Sequence, residues 1–280
     1  MTRRGGVALT AAVCAWAAPA MAYVCTRTPG LGPSVAWFQR DVQLHRSGRG
    51  AEVDEVGIDA ALGQAVGAWT GVPCADLVVG IGTPTTEQLV GFDWHAGSGS
   101  PENENIVVFR NDRSGDPLDA WMHTLGAIAI TTVTFDTTTG KLVDADIEMN
   151  DTAFEFTACD PEDPTCFVSF DLANTLTHEV GHVIGLDHPP PDSAGATEAT
   201  MFASAPRGDT AKRTLAADDE DGLCTLYPAG SPVPGECYGV GRPTSTARFE
   251  QGPCGAHAAP LAVVLIGLAG VPGARRRRRS

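Results

Sequence analysis

Basic residues are scarce in the main part of this chain. The chain has 19 basic residues, and seven of them lie near its two ends: Arg3, Arg4 and the five arginines of residues 275–279. The other 12 lie between residues 23 and 256. All 34 acidic residues lie in that same interval. Because a strongly acidic surface repels the phosphates of nucleic acids, this imbalance argues against a nucleic-acid-binding protein. It is compatible with calcium sites, or simply with solubility outside the cell.

Two further absences restrict the number of domains and the kind of metal site that the chain can contain. No internal repeat of useful length is present, and the roughly 205 residues from Tyr23 to Tyr227 suit one domain of ordinary size. No EF-hand spacing exists either. Calcium is therefore a cofactor without an assigned site. Its candidate ligands are scattered acidic residues: Asp93, Asp136, Asp144, Asp146 and Glu148.

Residues 1–22 have the features of a secretory signal peptide. Arg3 and Arg4 give a basic start, and the apolar stretch from Val7 to Ala18 is too short for a comfortable permanent anchor. Ala20-Met21-Ala22 forms a small-residue cleavage site, so the mature chain is predicted to begin at Tyr23. The alternative is an uncleaved anchor. We therefore expect an exported protein, either secreted or on a bacterial cell surface.

The other end of the chain is just as distinctive. Residues 228–256 are rich in Pro, Gly and Ser, which predicts a linker. Residues 257–280 combine an apolar segment without charges, at 258–274, with five consecutive arginines at 275–279. The apolar length is at the short limit for a membrane span, and the arginine block would stay on the cytoplasmic side. A nucleic-acid-binding tail fits poorly after a signal peptide.

Cys254, the apolar segment and the arginine block together resemble the C-terminal sorting tags of bacterial surface proteins, particularly the myxobacterial kind. This resemblance implies that the tail is a sorting signal, which engages sorting machinery and is then cut away. Cys254 would then be the processing or attachment point. The alternative is an ordinary single-span membrane anchor.

Seven cysteines follow the predicted signal peptide, and an exported chain usually pairs them. Cys159 and Cys166 flank a short acidic segment and are predicted to close a small loop. By elimination, Cys25–Cys74 and Cys224–Cys237 are plausible pairs, although sequence cannot prove connectivity. Cys254 is then the odd cysteine, which fits a separate role in the tail.

One undecapeptide carries chemistry: residues 178–188 contain the pattern H-E-x-x-H-x-x-G-x-x-H. His178 and His182 are four residues apart, so a helix places both on one face, where they can bind the same metal ion. Glu179 can reach a water at the metal without binding the metal itself. A solvated polar helix face is the alternative, but too many constraints are met for it to be preferred.

The second half of the pattern completes the site. Gly185 can adopt positive φ, so the helix can end there and the chain can bend back. His188 then approaches the metal from another direction as the third ligand. Three nitrogen ligands leave a fourth position open, which is typical of a catalytic rather than a structural zinc site.

These residues resemble the metzincin zinc endopeptidases. Residues 199–202, Ala-Thr-Met-Phe, match the methionine turn that metzincins carry beneath the zinc, with Met201 as the turn residue. Residues 215–227 resemble the C-terminal helix of the matrixin branch, L-x-x-D-D-x-x-G-(I/L)-x-x-L-Y. The chain departs from the matrixins at Pro189, where serine is usual, at Ala203, where some branches have tyrosine, and in having no cysteine-switch prodomain.

The resemblance implies an α/β (α+β) fold over residues 23–227. A twisted, mixed, five-stranded sheet with one antiparallel edge strand would cover the active-site helix, and a small irregular subdomain would end in a helix. By resemblance, residues 142–149 would be the antiparallel strand whose exposed edge holds an extended peptide. Hydrophobic patterns predict helices at 53–69, 170–185 and 214–226, and strands at 35–45, 77–81, 106–109, 127–135 and 142–149.

The predicted function is that of a zinc-dependent endopeptidase with one catalytic zinc, Glu179 as general base and a protein or peptide substrate, most simply as a monomer. A catalytically silent zinc-binding adhesion protein on the same fold is the alternative. A structural site with Cys25 as fourth ligand, or a latent form capped by Cys25, is a further reading. His95 and His123 could hold a second zinc, but ordinary surface or core histidines fit better.

Overall fold

The computed structural model describes residues 23–48, 51–96, 100, 103–158, 168–237, 246–249, 261–266 and 269–270. The strands are β1 (Val24–Cys25), β2 (Asp41–Arg46), β3 (Val78–Ile81), β4 (Ile106–Arg110), β5 (Ala129–Asp136), β6 (Leu142–Asn150), β7 (Phe156–Thr157), β8 (Phe170–Asp171), β9 (Leu186–Asp187), β10 (Ser204–Ala205), β11 (Thr246–Phe249), β12 (Leu261–Ile266) and β13 (Ala269–Gly270). The α-helices are α1 (Glu55–Thr70), α2 (Leu172–Val183) and α3 (Ala217–Leu226). Short 3-10 helices lie at Asp112–Ser114, Pro117–Asp119, Ala196–Glu198 and Ala211–Arg213.

The main sheet has the strand order β11-β12-β5-β6-β4-β2-β3. β2, β3, β4 and β6 pair in parallel, whereas β5 pairs antiparallel with β6. The α/β fold with a mixed sheet, an active-site helix and a C-terminal helix is therefore confirmed. The assignment of the antiparallel strand to residues 142–149 is wrong, because β6 lies inside the sheet beside β4. The antiparallel strand is β5, at residues 129–136.

Two strands from the C-terminal part of the chain extend the sheet beyond the five that were predicted. β12 pairs antiparallel with the outer edge of β5, and β11 pairs antiparallel with β12. Among the helices that the structure describes, none has the length and hydropathy needed to cross a membrane. The predicted signal peptide, the arginine block at 275–279 and Cys254 lie outside the described residues.

The main core lies between one face of this sheet and the two longer helices. α1 begins at the N-cap Asp54, whose carboxylate accepts a hydrogen bond from Gly57 N–H. Its buried residues recur at helical spacing: Ile58, Leu62, Val66 and Trp69. Trp69 also donates its indole N–H to the Thr177 carbonyl of α2 at 2.8 Å, which fixes the two helices against each other.

β6 divides its side chains between two environments because neighbours on a strand point to opposite faces. Ala145, Ile147 and Met149 belong to the main core. Asp144, Asp146 and Glu148 alternate with them, and all three are also buried. A second, smaller apolar cluster, formed by Trp121, Ala127 and Ile130, lies apart from the main core.

Among the described residues, two disulfides tie distant parts of the domain together. They join Cys25 to Cys237 and Cys74 to Cys224. The predicted pairs Cys25–Cys74 and Cys224–Cys237 are therefore wrong, because the fold places Cys25 beside Cys237 and Cys74 beside Cys224. The disulfide also leaves Cys25 without the thiolate that a zinc cap would need. The predicted Cys159–Cys166 loop lies outside the described residues.

Residues 228–237, at the start of the predicted linker, are held against the domain. Besides the Cys237 disulfide, Gly235 N–H donates to the Leu226 carbonyl at 2.8 Å. Arg40 donates to the carbonyls of Ser231 and Val233. The described domain therefore continues to Cys237.

Candidate metal centre

Helix α2 supplies the first half of the centre, and its start is firmly fixed. Asp171 is the N-cap, and its carboxylate accepts a hydrogen bond from Asn174 N–H at 2.7 Å. The same carboxylate forms an ion pair with the Arg213 guanidinium. These contacts keep α2 from turning about its own axis. Its hydrophobic face and its metal-ligating face therefore keep their directions.

The end of α2 produces the bend that the sequence predicts. Gly185 has φ 94°, and a Cβ there would lie 2.1 Å from the Val35 carbonyl oxygen. Only glycine fits, both because of its backbone conformation and because of this close approach. The chain then turns into β9, which carries Leu186 and Asp187 and delivers His188.

Carbonyl groups at the end of a helix have no hydrogen-bond donors within the helix. At the end of α2, distant residues supply these donors. The indole N–H of Trp37 donates to Val183, at 2.8 Å. The Tyr227 hydroxyl donates to the Ile184 carbonyl at 2.7 Å and accepts from Trp37 N–H at 3.0 Å. Thr26 N–H donates to the Gly185 carbonyl at 2.8 Å. The bend before His188 is thus held by both ends of the domain.

The three predicted histidine ligands converge. The Nε2 atoms of His178, His182 and His188 lie 3.0–3.1 Å from one another. An ion that binds nitrogen at about 2.0–2.1 Å can contact all three, since the centre of a triangle with these sides lies closer than that to each corner. Among the described residues, this is the only group of three or more His, Cys, Asp or Glu side chains with such convergent ligand atoms.

Hydrogen bonds orient two of the rings for this purpose. His178 Nδ1 donates to the Thr200 carbonyl at 2.7 Å, and His182 Nδ1 donates to the Leu186 carbonyl at 2.9 Å. Each bond leaves Nε2 with its lone pair directed at the common point. Burial lowers the pKa of all three histidines, that of His182 to about 3, so the rings are neutral as metal binding requires.

Glu179 lies beside the histidines and has a partner that sequence analysis missed. The hydroxyl of Thr131, on β5, donates to Glu179 Oε2 at 2.7 Å. This bond fixes the carboxylate relative to the sheet. The two residues are 48 positions apart, and no local pattern signals the contact.

The methionine turn, residues 199–202, packs beneath α2. A Cβ at Gly181 would lie 2.2 Å from Met201 Sδ, so the glycine inside the H-E-x-x-H pattern makes room for this methionine. Asp219, on α3, accepts hydrogen bonds from Thr200 N–H at 2.7 Å and Met201 N–H at 3.1 Å. The turn is therefore joined to the last helix through one carboxylate.

A buried lysine holds the other side of the turn, and sequence analysis did not single it out. Lys212 Nζ donates to the carbonyls of Thr200, at 2.8 Å, and Phe202, at 2.5 Å. Burial lowers the pKa of Lys212 to about 8. The Thr200 carbonyl thus accepts from both Lys212 and His178, which links the turn directly to a proposed metal ligand.

A family comparison adds to this geometry. Residues 108–228 match the family model of the matrixins, a peptidase family. The matrixin match runs from β4 past the end of α3 and includes the three histidines, Glu179 and Met201. Together, the match and the histidine triad support a matrixin-type metallopeptidase. No curated protein matches the chain.

The remaining titratable candidates are not part of the histidine triad. His123 Nε2 pairs with Glu148 Oε2 at 2.8 Å, and Arg110 Nε donates to Glu148 Oε1 at 2.6 Å. Although burial opposes ionisation, these partners hold the pKa of Glu148 below its ordinary value. His95 is exposed and is not part of this group. A second zinc held by His95 and His123 therefore receives no support from the described contacts.

Proposed function

We propose that this protein is an exported, zinc-dependent endopeptidase of the matrixin type. The observation that carries the proposal is the convergence of three neutral, buried imidazole nitrogens next to a carboxylate that does not bind the same point. Three nitrogen donors suit zinc and leave a position for water or substrate. The matrixin match supports peptides or proteins as substrates.

The proposed roles follow from the chain's own atoms. A bound zinc would polarise the scissile carbonyl and lower the pKa of water at the site. Glu179 Oε2, fixed by the Thr131 hydroxyl, would accept the proton of the attacking water and pass it to the leaving amine. His178 and His182 keep Nε2 directed at the metal because their Nδ1 protons are engaged by backbone carbonyls. With alanine at 203, no tyrosine two residues after Met201 assists the oxyanion.

Export is the second part of the proposal. The predicted signal peptide at 1–22 and the two disulfides support an oxidising compartment outside the cytoplasm. The resemblance of residues 254–280 to a sorting tag supports display on a bacterial surface before the tail is removed. Calcium binding by the acidic residues of β6 is a separate proposal.

The test compares the full chain with Glu179→Gln, which keeps the size of the side chain but cannot accept the proton. We expect one zinc per chain in both proteins, measured by metal analysis. With the tail strand described below released from both proteins, the wild type should cut a mixed peptide library internally in a chelator-sensitive reaction, and Glu179→Gln should lower the rate by at least about a hundredfold.

Two results would contradict this assignment. Equal cleavage by Glu179→Gln with zinc retained would remove Glu179 from the role of general base. Zinc binding without cleavage by any form, including one freed of the tail strand described below, would favour the silent adhesion protein instead.

A further inference from the structure

The outer edge of β5 is occupied by a segment of the same chain. β12 runs antiparallel along this edge for six residue pairs, from Leu261 opposite Asp136 to Ile266 opposite Thr131. Thr131 is the residue whose hydroxyl bonds to the Glu179 carboxylate. The end of β12 therefore lies beside the proposed general base.

The same segment also pairs with the opposite wall of the centre. β13, at Ala269–Gly270, runs parallel to β10, at Ser204–Ala205. β10 begins three residues after Met201, and the adjoining turn carries the Thr200 carbonyl that orients His178. Within ten residues, one segment thus pairs with both backbone elements that border the histidines.

The metal centre is closed while this segment is in place. His178, Glu179 and His182 have no exposed surface, and His188 is 9% exposed. Ile266 is itself 3% exposed and belongs to the main core. A substrate cannot bring a peptide bond to a carboxylate that has no accessible surface.

We propose that the C-terminal segment carrying β12 and β13 is a built-in inhibitor that occupies the substrate-binding edge as an extended peptide, so that the enzyme is latent until the segment leaves. The claim that the segment inhibits an enzyme rests on the proposed function. The claim that the segment occupies the edge of β5 rests on strand register and burial. It also indicates the substrate class. An uncharged, aliphatic, extended stretch, like the Leu-Ala-Val-Val-Leu-Ile of β12, fits this edge.

Side-chain packing explains why this segment suits the edge. Neighbouring strand residues point to opposite faces, and β12 finds an apolar partner on each face. Ile266 joins the main core, whereas Leu265 packs against the separate cluster of Trp121, Ala127 and Ile130. β11 covers the far side of β12 through four more residue pairs, so the backbone of β12 is bonded on both edges.

Latency and processing would then be one event. Residues 257–280 are the part of the chain whose sequence resembles a sorting tag that is cut away. Removing that part would also remove β12 and β13, which opens the edge of β5. The enzyme would be released in an active form only after it had reached its destination.

The experiment uses the full chain with Val263→Pro/Val264→Pro. Adjacent residues of a central strand donate to opposite neighbours, so the double change removes one bond to β5 and one to β11. The matched control is Val263→Thr/Val264→Thr, which keeps strand propensity. Two quantities are measured: hydrogen–deuterium exchange of the β5 amides and cleavage of the peptide library.

We expect the β5 amides to exchange faster in the proline variant than in the threonine control. A tethered segment competes with substrate at an effective concentration of order millimolar, so peptidase activity should rise by about tenfold or more. The zinc content should stay the same, because none of the proposed ligands is altered.

The possible failures are distinguishable. Unchanged β5 exchange together with unchanged activity would overturn the proposal and leave the peptidase function standing. Faster exchange with the full chain already cutting as fast as the variant would overturn latency alone. Faster exchange without cleavage by any form would support the docking and overturn the peptidase function.

A second protein guards against a folding defect in the proline variant. A recognition sequence for a specific protease replaces residues 238–245 of the full chain, and the same sample is assayed before and after cutting. Faster β5 exchange and higher activity after the cut would support the proposal, since the fold is already formed. No change in either quantity would contradict it.

Discussion

Thr131 shows how much of the centre depends on one hydroxyl. Its bond to Glu179 Oε2, at 2.7 Å, is buried, and it joins the proposed base to β5. Thr131→Val keeps the shape and removes the bond. A hydrogen bond to a charged group contributes about 1.5–3 kcal/mol, so we expect kcat to fall by about tenfold or more. KM and zinc content should not change.

The measurement is steady-state kinetics on the tail-released enzyme, with Thr131→Ser as the matched control. Serine retains the hydroxyl, and its kcat should stay close to that of the wild type. Equal losses of kcat in both variants would show that the methyl group, rather than the hydroxyl, matters at this position.

Asp144 and Asp146 form a buried carboxyl pair on β6, on the face away from the main core. Burial raises the pKa of Asp144 from 3.8 to about 7, and burial together with the Asp144 charge raises that of Asp146. The folded protein therefore keeps protons that the unfolded chain releases above about pH 4. The pair lowers the free energy of unfolding progressively as pH rises from about 4 to about 7.

Asp144→Asn removes a carboxyl group that becomes charged in this pH range. As pH rises from about 4 to about 7, the variant should therefore gain stability relative to the wild type. Urea denaturation at several pH values measures the difference, with the exposed Asp221→Asn on α3 as control. A stability difference that is the same at every pH would refute the assignment. A calcium-dependent rise in the wild-type Tm at neutral pH, absent in Asp144→Asn, would place the proposed calcium ion at this pair.

At the scale of elements, the end of α2 decides whether a third ligand reaches the metal. Gly185→Ala forces a side chain into a left-handed backbone and against the Val35 carbonyl oxygen. Backbone strain alone costs about 1–3 kcal/mol, and the clash adds to it. We expect a lower Tm and loss of zinc, since His188 would be displaced.

Gly195→Ala is the natural control for this substitution. Gly195 has φ 79°, also left-handed, but a Cβ there would meet nothing within 4 Å. The Gly195→Ala variant should lose stability through backbone strain alone. Metal analysis should show that it retains zinc. Equal zinc loss from both variants would mean that the close approach to Val35 is unimportant.

The elements themselves were largely predictable, whereas their pairing was not. The predicted helix at 170–185 corresponds to α2 at Leu172–Val183. The strand predicted at 142–149 corresponds to β6 at Leu142–Asn150. Local hydrophobic patterns mark such segments, but they do not record strand direction. The antiparallel edge strand was assigned to residues 142–149 by resemblance alone, and it is β5 instead.

At the scale of the whole molecule, each disulfide closes a very long loop, with sequence separations of 212 and 150. Their effects on chain entropy are similar, of order 5 kcal/mol each. Only the Cys25–Cys237 pair anchors β1, which pairs with β9 next to His188. We expect Cys25→Ser/Cys237→Ser and Cys74→Ser/Cys224→Ser to lose comparable stability, but only the first to bind zinc more weakly.

Urea denaturation and zinc titration of both double variants would check this prediction. Equal zinc affinities would show that β1 stays in place without its disulfide. The pairing of these cysteines could not be derived from spacing, because it depends on the closure of the entire domain. The same holds for the contacts of Thr131 and Lys212, whose partners come from distant parts of the sequence.

The partners that cap the end of α2 have a consequence for the order of synthesis. Val183 and Ile184 are bonded by Trp37 and Tyr227, and Trp37 and Tyr227 are themselves 190 positions apart. The bend that delivers His188 is therefore completed only after the last helix has emerged from the ribosome. A nascent chain that has already displayed all three histidines is still an incomplete enzyme. The topology of the domain would thus delay the proposed peptidase activity during synthesis, before any inhibitor is needed.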